Sequence, residues 1–312
     1  MIVVPYQPEL RDTWNEFVRL SKNGTFLFDR NYMGYHAERF FDHSLMFFDR
    51  RTRLRALFPA HEQAGNLISH GGLTYGGVVS DSSMTTPMML EVFDRILVHC
   101  RACGLVKVLY KTVPSIYAQR PAEEDRYALF RHQARLVRRD VLSVLEPALR
   151  LPFQERRTRK IKQARRAGFR TMETGDYASF WPLLERNLEQ RHGTNPVHNL
   201  DEIMLLASRF PEEVRLHVSL DSNDRIMAGV VVYVTKMVAH VQYIATSEEG
   251  RSCGALDLLF AELIEQDYEG KRYFDFGIST EDNGLYLNNG LIEQKEGFGA
   301  RAVVHDTYEM PG

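Results

Sequence analysis

The residues best placed to do chemistry are Gly250-Arg251-Ser252-Cys253-Gly254-Ala255. Ile226–Thr246 before them reads as two strands rich in Val, Ile and Tyr, and Leu256, Leu259, Phe260, Leu263 and Ile264 after them recur at the spacing of one helix face. A strand that passes through a Gly-bearing loop into a helix start leaves backbone N–H groups unpartnered, pointing where a pyrophosphate can sit. Gly250 and Gly254 allow close backbone approach, and Arg251 and Ser252 add donors. The stretch is neither G-x-G-x-x-G nor G-x-x-x-x-G-K-[ST], so the dinucleotide and P-loop motifs are excluded. A plain cap or tight turn is the competing account.

Candidates for the base and the oxyanion donors cluster near the strand ends around this stretch: His240, Asp275, and Glu281-Asp282-Asn283. Asp275 lies between Phe274 and Phe276, so its carboxylate is either held in a buried ion pair or shifted upward, as a general base would be. His240 shares strand parity with Gln242, Ile244 and Thr246, which puts it on their side of the sheet if the alternation is unbroken. Glu155–Arg170 carries Arg156, Arg157, Arg159, Lys160, Lys162, Arg165, Arg166 and Arg170 against the single acid Glu155. With Ile161, Ala164 and Ala167 as a thin apolar stripe, it reads as one basic helix that either faces solvent or binds phosphate. In Ser69-His70-Gly71-Gly72-Leu73-Thr74-Tyr75-Gly76-Gly77, four glycines around His70, Thr74 and Tyr75 suggest a ligand cradle or a bulged turn. Cys100 and Cys103 form C-x-x-C on a helical pattern with no second ligand pair near in sequence, which points to core packing and no metal.

The elements that must position these residues form two series of similar order. The first has a strand at 2–4, a helix from Leu10 to Leu20, a hairpin from strands at 44–48 and 54–59, a helix over Met88–Cys103 and a strand at 107–110. The second has a strand at 169–173, helices at 176–190 and 200–210, and strands at 214–220, 226–234 and 238–246. A helix at 255–266 and strands at 273–276 and 302–308 complete it. The join falls near Pro147–Pro152, giving domains 1–148 and 149–312 in an α/β chain.

A chain of 312 residues, 44% hydrophobic, can bury two cores, and a net charge of −2 gives no global attraction to DNA or an anionic membrane. Three cysteines make no disulfide framework, and no long apolar span is visible, so a reducing cytoplasm is the expected setting.

Tyr243–Ile264 together with the tail Asn289–Gly299 resembles the cofactor half of a GNAT-superfamily acyltransferase. Its loop is similar to R/Q-x-x-G-x-G/A, met by Arg251, Gly254 and, one place early, Ala255. The basic run Arg157–Gly168 (R-x-R-K-x-x-x-A-x-x-x-G) paired with K-x-x-F-G at Lys295–Gly299 resembles the FemAB-like tandem-GNAT branch. That resemblance implies two tandem GNAT-like domains, each a mixed, mostly antiparallel sheet flanked by helices. The second would bind acetyl-CoA, with an acceptor between the domains.

By the resemblance, the strands at 238–246 and 273–276 part to admit the thioester arm. Backbone of Ile244 and Ala245 would pair with the pantetheine amides, and Gly250, Arg251, Ser252, Gly254 and Ala255 would hold the pyrophosphate, with Lys295 of the tail among the cofactor contacts. His240, Asp275 and Glu281 are the candidates for proton handling. His192 and His198, in Arg191–His198, and His70, Tyr75 and Lys111 would contact the acceptor, and Arg157 and Arg159 its phosphate. Many GNATs carry a tyrosine two residues before the tail lysine; here Glu293 stands there, leaving Tyr286 or Tyr308 as substitutes. The implied reaction is N-acetylation of an amino sugar, nucleotide-linked and destined for surface polysaccharide, by a protein that can form a homodimer. The alternatives are Fem-like aminoacyl transfer from a charged tRNA to a cell-wall precursor, and a catalytically inactive binding protein.

Overall fold

The computed structural model describes residues 1–312, the side chain of His192 excepted. The chain forms two compact units. One comprises Met1–Asp140 with Asp282–Tyr286 and Val304–Gly312, the other Val141–Glu281 with Leu287–Val303. The chain end returns to the first unit because Arg301–Pro311 pairs antiparallel with Lys107–Lys111, from Thr307 opposite Lys111 to Pro311 opposite Lys107.

In the first unit, the strands Ile2–Pro5, Leu45–Phe48, Leu54–Phe58 and Val79–Ser80 form one sheet. Helix Thr86–Cys103 buries Val92, Phe93, Ile96 and Cys100 among Phe47, Phe58 and Tyr110. Only the first cysteine of the C-x-x-C is core; Cys103 is exposed. The glycines of the Ser69–Gly77 segment spare space for protein. A Cβ on Gly72 would lie 2.3 Å from the His36 ring, and one on Gly77, whose φ is +87°, 3.0 Å from the Tyr110 hydroxyl. The amides of Gly71 and Gly72 donate to the Nδ1 atoms of His61 and His70 at 3.1 and 3.3 Å.

The second unit is ordered Arg170–Thr174, Val214–Leu220, Ile226–Val234, Val238–Thr246, Tyr273–Ile278 and residues 141–145. All neighbours are antiparallel except Val238–Thr246 with Tyr273–Ile278, which run parallel. Their ladder is Val238 with Tyr273, Ala239 with Phe274 and His240 with Asp275, after which the strands part. On one face, Leu256, Leu259 and Phe260 of helix Ala255–Glu262 pack on Ala228, Val230, Val232, Phe274 and Phe276. On the other, helix Tyr177–His192 sets the Phe180 ring 2.4 Å from where a Gly229 side chain would begin, so only glycine admits it.

Two local features differ from the sequence expectation. Val231 pairs with Tyr243 while Val232 pairs with Val241, so Gln242 is the extra residue of a β-bulge. Cross-strand partners share a face; His240 therefore lies on the side of Tyr243 and Ala245, while Ile244 and Thr246 face the helix Ala255–Glu262. The bulge reverses the simple alternation that had grouped His240 with them. Second, the expected loop at 250–255 is a short helix, Glu248–Cys253, capped by the Ser247 side chain and ended by Gly254 at φ +84°. No helix among the described residues is long and apolar enough to cross a membrane.

His70 is buried beside His36, His61 and Arg30, and burial first, then those neighbours, lowers its pKa to about 3. The folded state thus holds it neutral, at no cost above about pH 6.5 but at roughly 1.4 kcal/mol per pH unit below it. Melting temperature should fall from pH 6.5 to 5, less steeply in His70→Asn; equal slopes would remove His70 as the cause.

Candidate active site

Where the two parallel strands part, a pocket of about 400 Å³ opens inside the second unit. Ile244, Ala245 and Thr246 form one wall, Leu256, Asp257 and Phe260 another, and Leu291, Gln294, Lys295 and Phe298 a third. Ser247 donates its amide to the Met227 carbonyl at 2.9 Å. By ladder alternation, Ala245 turns its N–H and C=O toward Ile226–Val234, and Ile244 turns its own to the open edge. The two residues expected to act alike are thereby separated. The next outward amide, Thr246, donates to Asn187 Oδ1 at 3.1 Å, and Asn187 also lines the pocket.

The other end of the pocket is cationic. Arg157, Lys160, Arg191, Arg251 and Lys295 line it against the single acid Asp257. Partial burial and the neighbouring Arg251 lower the pKa of Arg191, so two guanidinium groups converge where an anion would relieve their repulsion. Helix Ala255–Glu262 begins in this wall with no side-chain cap, and Leu258 is its first amide bonded to the preceding turn, to Gly254 at 3.0 Å. The amides ahead of it have no partner in the preceding turn, and a helix start in that state suits an anion.

The glycines of 250–255 serve the scaffold. A Cβ on Gly250 would sit 2.3 Å from the Met227 carbonyl, and one on Gly254 2.5 Å from the Lys160 carbonyl. Gly250's amide is taken by Ser247 Oγ at 2.9 Å. Ser252 turns its carbonyl to Lys160 Nζ, 2.5 Å, and its hydroxyl to Glu249. Of residues 250–255, Arg251 is the one that lines the pocket.

The basic helix Glu155–Arg166 docks on helix Ala255–Glu262 through Ile161 and Ala164 against Leu258 and Ala261. Arg157 pairs with Asp257 at 2.7 Å and Arg165 with Glu262 at 2.7 Å. Arg157, expected on the acceptor, instead shares a pocket with the expected cofactor residues. Arg159 is exposed and does not line it, with Lys162 and Arg166 also exposed.

At the root of the fork, His240 Nδ1 meets Asp275 Oδ2 at 2.8 Å. Asp275 is fully buried and also accepts from the Gly277 amide at 2.7 Å. It cannot touch an acceptor; it can orient the imidazole through Nδ1. Lys295, 4% exposed, donates to the carbonyls of Gly277 and Ile278 at 3.0 and 2.6 Å. Burial lowers its pKa to about 8, with Asp275 opposing. Glu281 is exposed and accepts from Asn288. Glu293 turns to Arg156 and lies outside the pocket wall.

The acceptor candidates are dispersed. His198 is buried, its Nδ1 at 2.6 Å from the Tyr243 hydroxyl, whose pKa burial raises to about 12. The side chain of His192 lies outside the described residues. In the first unit, Tyr75 is buried and bonds Thr25, His70 sits in its histidine cluster, and Lys111 donates to the Leu73 carbonyl. Tyr308, a substitute for the missing tyrosine, bonds Asp306 in the first unit, and Tyr286 is exposed there. Sequence reasoning missed Asn187, a polar residue inside a helix pattern with no local signal.

Residues 154–283 match the family described as Acetyltransferase (GNAT) domain. No curated protein matches the chain. Among solved structures, FemX is similar at 10% identity and a TM-score of 0.69, covering 98% of this chain and 97% of its own. The C-terminal domain (DUF2156) of a candidate lysylphosphatidylglycerol synthetase from Agrobacterium fabrum has 14% identity and a TM-score of 0.62, covering 96% and 91%. A tandem GNAT protein from the clavulanic acid biosynthesis pathway has 12% identity and a TM-score of 0.52, covering 99% and 98%.

Because Gly254 combines positive φ with contact to the Lys160 backbone, Gly254→Ala should cost about 1–3 kcal/mol and loosen the basic helix. Gly175→Ala, in open space, is the control. Equal melting temperatures for the two variants would remove the packing role.

Proposed function

Because the second unit belongs to the GNAT superfamily and the chain folds as the FemAB-like tandem branch does, we infer that the protein is an acyl-CoA-dependent N-acyltransferase. One observation carries this reading: a single pocket offers an open strand edge at Ile244 beside an uncapped helix start and converging arginines. An amide-rich arm fits the first and a pyrophosphate the second. Arg157, Lys160, Arg191 and Arg251 would hold the phosphates, with Ile244 and Asn187 placing the arm. A thioester donor supplies an activated acyl carbon; the remaining chemistry belongs to this chain.

Transfer to an amine needs a base and, for the departing thiolate, an acid. His240, oriented by Asp275, is assigned the base that accepts the amine proton. Lys295, near neutrality and walled into the pocket, is assigned the acid in place of the missing tyrosine. The donor is read as acetyl-CoA and the acceptor as an amino sugar, nucleotide-linked, in surface polysaccharide synthesis. The absence of any long helical arm among the described residues, where the longest helix, Thr86–Cys103, has 18 residues, favours a CoA donor over a charged tRNA.

Aminoacyl transfer is the second reading. FemX and the candidate lysylphosphatidylglycerol synthetase share the fold, and the outward row Arg159, Lys162 and Arg166 offers a phosphate-binding face. Acetyl-CoA at about 100 times its Kd should stabilise the protein by about 2.7 kcal/mol, and Arg251→Glu should weaken it tenfold or more. CoA release with amino sugars should follow, falling about 10²–10⁴-fold in Asp275→Asn while acetyl-CoA still binds. No stabilisation by any acyl-CoA, with retention of charged tRNA, would replace this reading by the second.

Since Lys295 gives a proton only when protonated, kcat should decline as pH rises through about 8. In Lys295→Gln the rate should be lower and that decline absent; an unchanged alkaline limb would take Lys295 out of proton transfer.

A further inference from the structure

We propose that His43, His99 and Cys103 of the first unit bind a zinc-class divalent cation. The expectation from sequence was no metal, since Cys100 and Cys103 lacked a partner pair. The fold separates those cysteines and supplies different partners. Cys100 is sealed in the core, while Cys103 stands on the outer face of the helix Thr86–Cys103, one turn from His99. His43 comes from the turn after strand Phe41–Asp42, its amide fixed to the Ala60 carbonyl at 3.0 Å.

The ligand atoms converge. His43 Nε2 and His99 Nε2 are 2.8 Å apart, Cys103 Sγ is 3.6 Å from His99 Nε2, and all three atoms lie within 4.8 Å of one another. In a tetrahedral zinc site, bonds of about 2.0–2.1 Å to nitrogen and about 2.3 Å to sulfur place N and S about 3.6 Å apart and two nitrogens about 3.3 Å apart. The Cys103–His99 spacing is thus already that of a bound ion, while Cys103 and His43, within 4.8 Å, close to the same value on binding. The two nitrogens need to part by only about 0.5 Å.

The surroundings support ligation. His43 Nδ1 lies 3.0 Å from Glu62 Oε2, the carboxylate–histidine arrangement that keeps the proton on Nδ1 and turns the Nε2 lone pair outward. With His43 accepting, His99 Nε2 is the donor of the histidine pair. Binding shifts the His99 proton to Nδ1, and Cys103 releases its thiol proton to solvent, so one proton leaves for each ion bound. Two imidazoles and a thiolate suit a borderline-soft cation rather than magnesium or calcium. The half-buried histidines and exposed cysteine leave an entry path and a fourth position for water.

The test is titration of chelator-treated full-length protein with Co²⁺, followed by displacement with Zn²⁺. The expected result is one Co²⁺ per chain with a thiolate-to-cobalt charge-transfer band that Zn²⁺ abolishes, and a higher melting temperature with Zn²⁺. Cys103→Ser should lose the band, and Cys253→Ser should keep it. His99→Gln should weaken binding at least tenfold, and Glu62→Gln roughly 10–100-fold. Absence of the band in wild type, its survival in Cys103→Ser or its loss in Cys253→Ser would each overturn the assignment. Should His99→Gln fail to fold, the two cysteine variants decide alone.

Discussion

Two parallel strands share three residue pairs and then diverge, and the second unit is organised around that break. Continued pairing past His240 and Asp275 would have used the outer edge of Val238–Thr246 and closed the pocket. The break leaves Ile244's backbone polar groups without a strand partner, a cost that a fold accepts where the edge faces solvent or a ligand. The bulge at Gln242 acts just beyond it. It rotates the strand so that Ile244 and Thr246 face the helix Ala255–Glu262, while His240 and Tyr243 face the helix Tyr177–His192.

The side chains around the fork divide the work between charge and shape. Asp275, fully buried, answers its desolvation with His240 and the Gly277 amide. Lys295 spends two donors on the carbonyls at the end of the same strand, tying the tail helix Asn289–Glu296 to the fork. The basic helix is similarly built in. Its inner residues Ile161 and Ala164 pack on apolar surface, Arg157 and Lys160 turn into the pocket wall, and the exposed remainder keeps the segment solvated. Each surface ion pair, such as Arg165 with Glu262, adds little by itself; the apolar contact and the close approach at Gly254 set the helix's position.

Glycine has the same part in both units. Gly72, Gly229, Gly250 and Gly254 sit where another element comes closer than a Cβ permits. In sequence Gly72, Gly250 and Gly254 look like ligand cradles, because both uses ask for a missing side chain. The distinction rests on what occupies the spared space, here the His36 ring, the Phe180 ring, the Met227 carbonyl and the Lys160 carbonyl.

Local pattern determined a good deal. The strands Val214–Leu220, Ile226–Val234 and Val238–Thr246 are bounded as their alternation and turn residues indicate, since side-chain period and turn chemistry are properties of neighbouring residues. The α/β class and the GNAT resemblance, carried by Arg251, Gly254 and the Lys295–Gly299 signature, were likewise legible. Facing and proximity were decided by tertiary structure. The bulge depends on how Ile226–Val234 pairs with its neighbour, so parity could not show which way His240 points. Arg157 joined Ile244 only because the basic helix docks on helix Ala255–Glu262, and Asn187 joined them from a helix with no marker of its own. His43, His99 and Cys103 are separated by more than fifty residues at one gap and four at the other. No local spacing rule links the first to the others, and only the packing of the strand turn against the helix brings their ligand atoms together.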